Sequence, residues 1–329
     1  MRSSATLLAT LLAFGLGSLM LLAGCGQAQA PERDAGQPLV IVSTIGMIGD
    51  VAERIAGTRA EVRVLIGAGV DPHLYQPTRG DMDAMLRADV VFYNGLLLEG
   101  RMTDALVRAA SADRGVYAVT ELIDPSTLIQ PADLEGKNDP HVWMDPTAWA
   151  RAVEVIRDRL IEHDPDGREV FETNAATLIA ELAALDEYCS RVLATVPQTQ
   201  RVLVTAHDAF GYFGRRYGYD VLGIQGLSTE SEAGVRDIER LVDLLVDRKI
   251  AAVFVESTVS DRNVQALIAG AAARGHTVAI GGELFSDALG PAGTYQGTYV
   301  GMIDHNATII ARALGGEAPQ AGMQGKLSP

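Results

Sequence analysis

Cysteine is almost absent from this chain of 329 residues, which holds only Cys25 and Cys189. That excludes a disulfide framework and any metal site built from several thiolates. Basic residues are also scarce, with 27 Lys and Arg against 42 Asp and Glu and a net charge of −15. Nucleic acid is thereby excluded as a partner, because a polyanion requires a basic face. Three chemical signatures are missing as well. There is no His-Glu-x-x-His pair, no Gly-x-Ser-x-Gly elbow and no glycine-rich phosphate loop after the first strand. Those absences speak against a zinc hydrolase, a serine hydrolase and a nucleotide-binding protein. Any metal held here must be held by imidazole and carboxylate.

The N-terminus carries an address. Arg2 is followed by a stretch from Ala5 to Ala23 without charge, and Leu22-Ala23-Gly24-Cys25 sets small residues ahead of a cysteine. A basic start, an apolar run and a small-residue cleavage site form an export signal. Residues 1–24 are therefore read as a lipoprotein signal peptide, with Cys25 as the lipidated residue. Acyl chains on Cys25 would hold the protein extracytoplasmically at a membrane surface, in a periplasm or on the cell exterior. Residues 25–38 then form the lipidated end and a polar, flexible tether rich in Gly, Gln, Ala and Pro.

Beyond the tether, short β-rich runs alternate with amphipathic stretches, the pattern of βα units on a largely parallel sheet. In the first half the strands are expected at Leu39–Ser43, Glu61–Ile66, Asp89–Tyr93 and Val116–Val119, with a first helix from Ile45 that stops at Gly57. In the second half they are expected at Arg201–Thr205, Asp220–Ile224, Ala251–Val255 and Thr277–Ile280, with helices near Val235–Arg248 and Asp261–Arg274. Between the halves, Phe171, Ala175, Leu178, Leu182, Leu185, Cys189, Val192 and Val196 recur at alternating spacings of four and three. That is one apolar stripe on a single helix of about 30 residues, bracketed by Pro165 and Pro197. The expected organisation is an N-terminal lobe at 39–165, a linking helix at 166–197, a C-terminal lobe at 198–315 and a tail at 316–329. The helix would act as a strut that resists hinge motion, and Cys189 would be an inert member of its stripe.

Six histidines remain to be placed. His73 and His141 each end an Asp-Pro-His triplet, 71–73 and 139–141, and His207 follows the first strand of the second half. All three fall in loops after expected strands, where open α/β sheets bind ligands. Proline ahead of the first two stiffens the backbone that carries the imidazole. His163, His276 and His305 lack that context and are read as structural. The segment after the last expected strand, 281–290, offers Asp287 as the best oxygen ligand, with Glu283 as its competitor by position. Imidazole suits zinc, manganese, iron, nickel and copper, and an added oxygen shifts preference toward harder ions.

Several stretches together resemble the zinc/manganese solute-binding lipoproteins of bacterial ABC importers, the TroA-like metal receptors. They are Gly-Val-Asp-Pro-His at 69–73, Ala-Asp-Val-Val-Phe-Tyr-Asn-Gly at 88–95 and Asp-Pro-His-Val-Trp-Met-Asp-Pro at 139–146. Further on come Thr-Ala-His-Asp-Ala-Phe-Gly-Tyr-Phe at 205–213, Gly-Leu-Ser-Thr-Glu-Ser-Glu at 226–232 and Ser-Asp-Ala-Leu-Gly at 286–290. The resemblance implies an α/β protein of two doubly wound (βα)4-type lobes, joined by a single long rigid helix, with a metal site in the cleft between them. It implies His73, His141, His207 and Asp287 as ligands of one Zn2+ or Mn2+ per chain, carried as cargo, and so prefers Asp287 over Glu283. The implied partners are a transmembrane permease with its cytoplasmic ATPase, the receptor being a monomer without enzymatic activity. Family members with Glu in place of His207 are dedicated manganese receptors, whereas dedicated zinc receptors often carry a histidine-rich loop where Asp124–Asn138 here has none. The metal stays open between zinc and manganese. A secreted zinc hydrolase, or a surface adhesin on the same fold, are the alternatives.

Overall fold

In a computed structural model of the chain, described for residues 37–110, 114–131 and 136–327, strands and helices alternate as the sequence pattern implies. The first half runs β1 (Leu39–Ser43), α1 (Gly46–Ala56), β2 (Ala60–Val64), α2 (Arg79–Arg87), β3 (Val90–Tyr93), α3 (Thr103–Ala110), β4 (Gly115–Ala118) and α4 (Pro146–His163). A long helix, α5 (Arg168–Leu193), leads to the second half: β5 (Val202–His207), α6 (Gly211–Tyr217), β6 (Asp220–Gln225), α7 (Val235–Arg248), β7 (Ala252–Glu256), α8 (Arg262–Ala273), β8 (Ala279–Leu284) and α9 (Tyr299–Ala313). The expected signal peptide and the lipidation site Cys25 lie outside the described residues. Among those that are described, no helix is long and apolar enough to cross a membrane.

Parallel strands in the order β2-β1-β3-β4 build the first sheet, so their carboxyl ends share one edge. The second half holds two parallel ladders, β5 with β6 and β7 with β8, and β5 lies against β7 without a continuous ladder between them. The last strand runs four residues beyond its expected end at Ile280. Gly281 and Gly282 look like a break, but the chain stays extended through them, with an irregular register opposite Val253 and Phe254. A Cβ on Gly282, whose φ is +151°, would come within 2.6 Å of Ile309 on α9. Glycine here permits the close approach of helix and strand rather than a turn.

Helix α5 has 26 residues, hence about 39 Å, and is shorter at both ends than the expected 166–197. Pro165–Gly167 form a separate 3-10 turn. At the other end Thr195 and Val196 bond back three residues, to Val192 and Leu193, which tightens the chain out of α-helical geometry. Its apolar stripe is buried throughout, Cys189 included, and burial pushes that thiol far up from its ordinary value. The helix is more than a strut: it packs on α4, α9 and α1 along its length. One apolar cluster runs from Ile41 and Val91 through Leu178, Leu182 and Leu185 to Phe210, Phe285 and Tyr299. The two lobes thus share a core within one compact unit. A second cluster covers the far face of β5, where Val202, Val204 and Ala206 meet Leu245, Val264 and Leu267 of α7 and α8. Leu203, of opposite strand parity, faces the shared core.

One carboxyl crosses this junction. Asp50 of α1 accepts a hydrogen bond from the backbone N–H of Tyr299, at the first residue of α9, 3.2 Å away. Burial raises its pKa to about 6, against the opposing effect of that bond. A folded pKa above the ordinary 3.8 means that this contribution to stability is complete below about pH 3.8 and is lost as the pH rises through about 6. In Asp50→Asn, urea denaturation between pH 4 and pH 7 should show a flatter stability profile, by about 2 kcal/mol, than the parent chain. Parallel profiles would remove Asp50 as a source of the dependence.

Candidate metal centre

The Asp-Pro-His triplets have a common local cause. In the first, Asp71 Oδ1 accepts from the backbone N–H of His73 at 2.8 Å; in the second, Asp139 Oδ1 accepts from that of His141 at 2.9 Å. Each aspartate closes a tight turn over its proline and fixes where the imidazole starts. The second triplet continues into Asp145-Pro146, in which Asp145 caps α4 by accepting from Thr147 and Ala148 and Pro146 takes the first helical position. His207 is the last residue of β5, and Asp287 follows β8. All four therefore come from the carboxyl edges of the strands, two from each lobe.

There the four side chains converge. Asp287 Oδ2 lies 3.5 Å from His73 Nε2 and 3.1 Å from His207 Nε2, and Oδ1 lies 3.4 Å from His141 Nε2. One ligating atom from each of the four falls within 4.8 Å of every other. All four residues are buried, and none of the three Nε2 atoms or the two carboxylate oxygens has a hydrogen-bond partner. Buried polar atoms are rarely left unpaired, since each costs about 1–3 kcal/mol. Five aimed at one point define a space suited to a cation with nitrogen and oxygen ligands.

Two further carboxylates stand behind the imidazoles. Asp139 Oδ1 also meets His141 Nδ1 at 2.8 Å. Glu256, at the end of β7, accepts from the His207 backbone N–H at 2.9 Å and meets Nδ1 of the same ring at 2.5 Å. These contacts orient the rings and direct Nδ1 away from the cluster, turning Nε2 toward it. Neither residue was singled out from sequence, although both were open to it. Asp139 belongs to the repeated triplet, and Glu256 directly follows an expected strand, the position that selected the histidines. Gly211 allows the approach, because a Cβ there would stand 2.7 Å from Asp139 Oδ2. The wall beyond is aromatic. Trp143 packs edge-on to His141 at 5.3 Å and to Trp149 at 6.3 Å, and Trp149 stacks on Tyr299 at 5.9 Å. The Trp143 indole donates to the Ser286 carbonyl at 2.7 Å, tying the His141 loop to the Asp287 loop across the lobes.

The charge states differ among the rings. Burial in a dry site, reinforced by its two imidazole neighbours and only partly offset by Asp287, pushes His73 down to about 3, so it is neutral. For His207 burial also opposes charge, but Glu256 and Asp287 outweigh it and hold the pKa well above the ordinary value. Burial alone would raise Asp287, yet His207, His141 and His73 keep it below the usual carboxylate range. Glu256 and Asp287 thus favour a proton on His207, whereas burial disfavours one on His73.

The histidines read as structural have other partners. Nε2 of His163 meets the Tyr117 hydroxyl at 2.9 Å, that of His276 the Ile250 carbonyl at 2.7 Å, and that of His305 the Glu283 carbonyl at 2.9 Å. Glu283 itself sits exposed on β8, away from the cluster.

Comparison with known proteins agrees with this architecture. Residues 41–313 match the family model described as zinc-uptake complex component A, periplasmic (ZnuA). The manganese-binding lipoprotein MntA of Bacillus subtilis is 46% identical over 305 residues, 92% of this chain and 98% of MntA. The zinc-binding protein TroA of Treponema pallidum is 45% identical over 279 residues, 85% of this chain and 89% of TroA. A solved structure of the periplasmic zinc-binding protein TroA from Treponema pallidum superposes with a TM-score of 0.82 at 43% identity, covering 84% of this chain and 99% of that one.

Replacing Glu256 by Gln removes the charge behind His207 while keeping a hydrogen-bonding group. The His207 pKa should then fall toward 6.5 in metal-free protein, followed by NMR of the imidazole protons. An unchanged titration would mean that Asp287 alone holds the proton.

Proposed function

We propose that this chain, which belongs to the ZnuA family of periplasmic zinc-uptake components, is the extracytoplasmic receptor of an ABC importer. It captures one zinc or manganese ion between its lobes and delivers it to a membrane permease driven by a cytoplasmic ATPase. The observation that carries this reading is the convergence of three unpartnered imidazole nitrogens and an unpartnered carboxylate on one buried point. His73 and His141 supply ligands from the first lobe, His207 and Asp287 from the second. Four protein donors close the shell of a small divalent ion, a design for holding it, whereas a catalytic zinc keeps a position for water. The zinc hydrolase and adhesin readings draw no support from the site. Cys25 is the proposed anchor to the membrane, and the receptor works as a monomer.

Capture on this reading is an exchange of charges. His73 is already neutral and accepts the ion as it stands. His207 holds a proton that the arriving ion must displace, so binding releases it and weakens as the pH falls. Asp139 and Glu256 keep their rings pointed at the ion throughout. The domain limits 39–165, 166–197 and 198–315 divide these roles, with the ligand pairs on either side of α5. Because both lobes share one core, release needs only a small displacement of the His207 and Asp287 side. Spin labels on the two lobes should report nearly equal distances with and without metal; a swing of tens of degrees would contradict a shared rigid core.

The two most informative relatives pull the choice of metal in opposite directions, one being named for manganese and the other for zinc. Titration of chelator-stripped protein with each ion should give one bound ion per chain and a stability gain of about 2.7 kcal/mol at a hundredfold excess over the dissociation constant. His73→Ala and Asp287→Ala should each abolish it, and His207→Glu should move preference toward manganese. Failure of both ions to stabilise the parent chain would end the receptor reading.

A further inference from the structure

The loop between β6 and α7, residues 226–234, borders the mouth of the cleft and is fastened at its root and at its tip. Near its root, the Gly226 carbonyl accepts from the backbone N–H of Asp208, next to His207, at 3.4 Å. At its tip, the buried Thr229 hydroxyl donates to Asp71 Oδ2 on the opposite lobe. The other oxygen of that carboxylate already holds the backbone N–H of His73. One side chain therefore joins the loop to the turn that carries a ligand. Beside it, Arg101 pairs with Glu230 at 3.2 Å, again from lobe to lobe. Space lies on both faces of the loop. The mouth, of about 520 Å³, is lined by His73, Leu97, Arg101, Leu227 and Glu230. A second hollow of about 500 Å³ lies behind, lined by Leu222, Gln225, Ser231, Asp237 and Leu244.

We propose that residues 226–234 form a strap over the metal cleft, latched by Thr229 on Asp71, and that this latch sets how fast the ion leaves. Asp71 is a positioning residue: it acts through the His73 backbone and has no place among the four ligands. A bond to a charged carboxylate at a buried hydroxyl is the stronger fastening. The Arg101–Glu230 pair is solvent-exposed on both sides and contributes little alone. Its value is in register, keeping Thr229 opposite Asp71. The hollow behind the strap gives it somewhere to go when the latch opens, so the mouth clears without separation of the lobes. The inference rests on the receptor reading.

The test measures zinc release from the full chain into excess chelator by stopped flow, with metal-free melting temperature as the control for folding. Thr229→Val keeps the shape and removes the hydroxyl, whereas Thr229→Ser keeps the hydroxyl. Thr229→Val should release zinc about tenfold faster, and Thr229→Ser should stay near the parent rate. Arg101→Glu should also speed release, with the parent rate restored when Glu230→Arg is added. Equal rates in all variants, or equal acceleration by Val and Ser, would overturn the strap while leaving the receptor intact. Absence of stoichiometric binding of both zinc and manganese in the parent chain would remove the receptor reading and the strap with it.

Discussion

Three imidazoles and a carboxylate, buried with no hydrogen-bond partners at their converging atoms, are the costly arrangement on which the rest of this molecule depends. Left to themselves they would rotate apart toward water or toward one another. They stay because each is gripped from behind. Asp71 and Asp139 fix the backbone of two histidines, Asp139 and Glu256 hold the far nitrogen of two rings, and the Trp143 indole pins the carbonyl beside Asp287. The site is preorganised for an ion by contacts that never touch it.

Such gripping works only if the two lobes cannot drift. The shared apolar cluster, with α5 as its central wall, provides that constraint. Helix α5 touches the first helix of one lobe and the last helix of the other, so the two pairs of candidate ligands are referred to a common frame. This is a different solution from a hinge between independent domains. The placement of the four converging side chains is set by packing.

Much of this was legible in the sequence, for reasons that can be named. Strand β1 and helix α7 fall where the alternation places them, because period-2 and period-3.6 burial leave direct marks on composition. The histidine loops follow from the rule that open sheets bind at carboxyl ends. What sequence obscured was anything decided by close approach. Gly281-Gly282 reads as an interruption until Ile309 is seen against it. The gap between β5 and β7 has no signature in either strand. Glu256 is marked only by its place after an expected strand, since nothing local reveals that a histidine from another strand lies across from it. Position alone does not separate Glu283 from Asp287; in the structure Asp287 faces three imidazoles while Glu283 is exposed.

The aromatic wall has an optical consequence. The chain contains two tryptophans, and both stand in the column that begins at His141: Trp143 edge-on to that ring, Trp149 behind it. No indole elsewhere dilutes the signal. Ultraviolet emission excited at the red edge of protein absorption therefore arises from this one column, with Trp143 at 5.3 Å from the His141 ring and Trp149 one ring further back. The molecule carries its own fluorophores along one wall of the candidate metal centre, where the arrival of an ion would alter their surroundings.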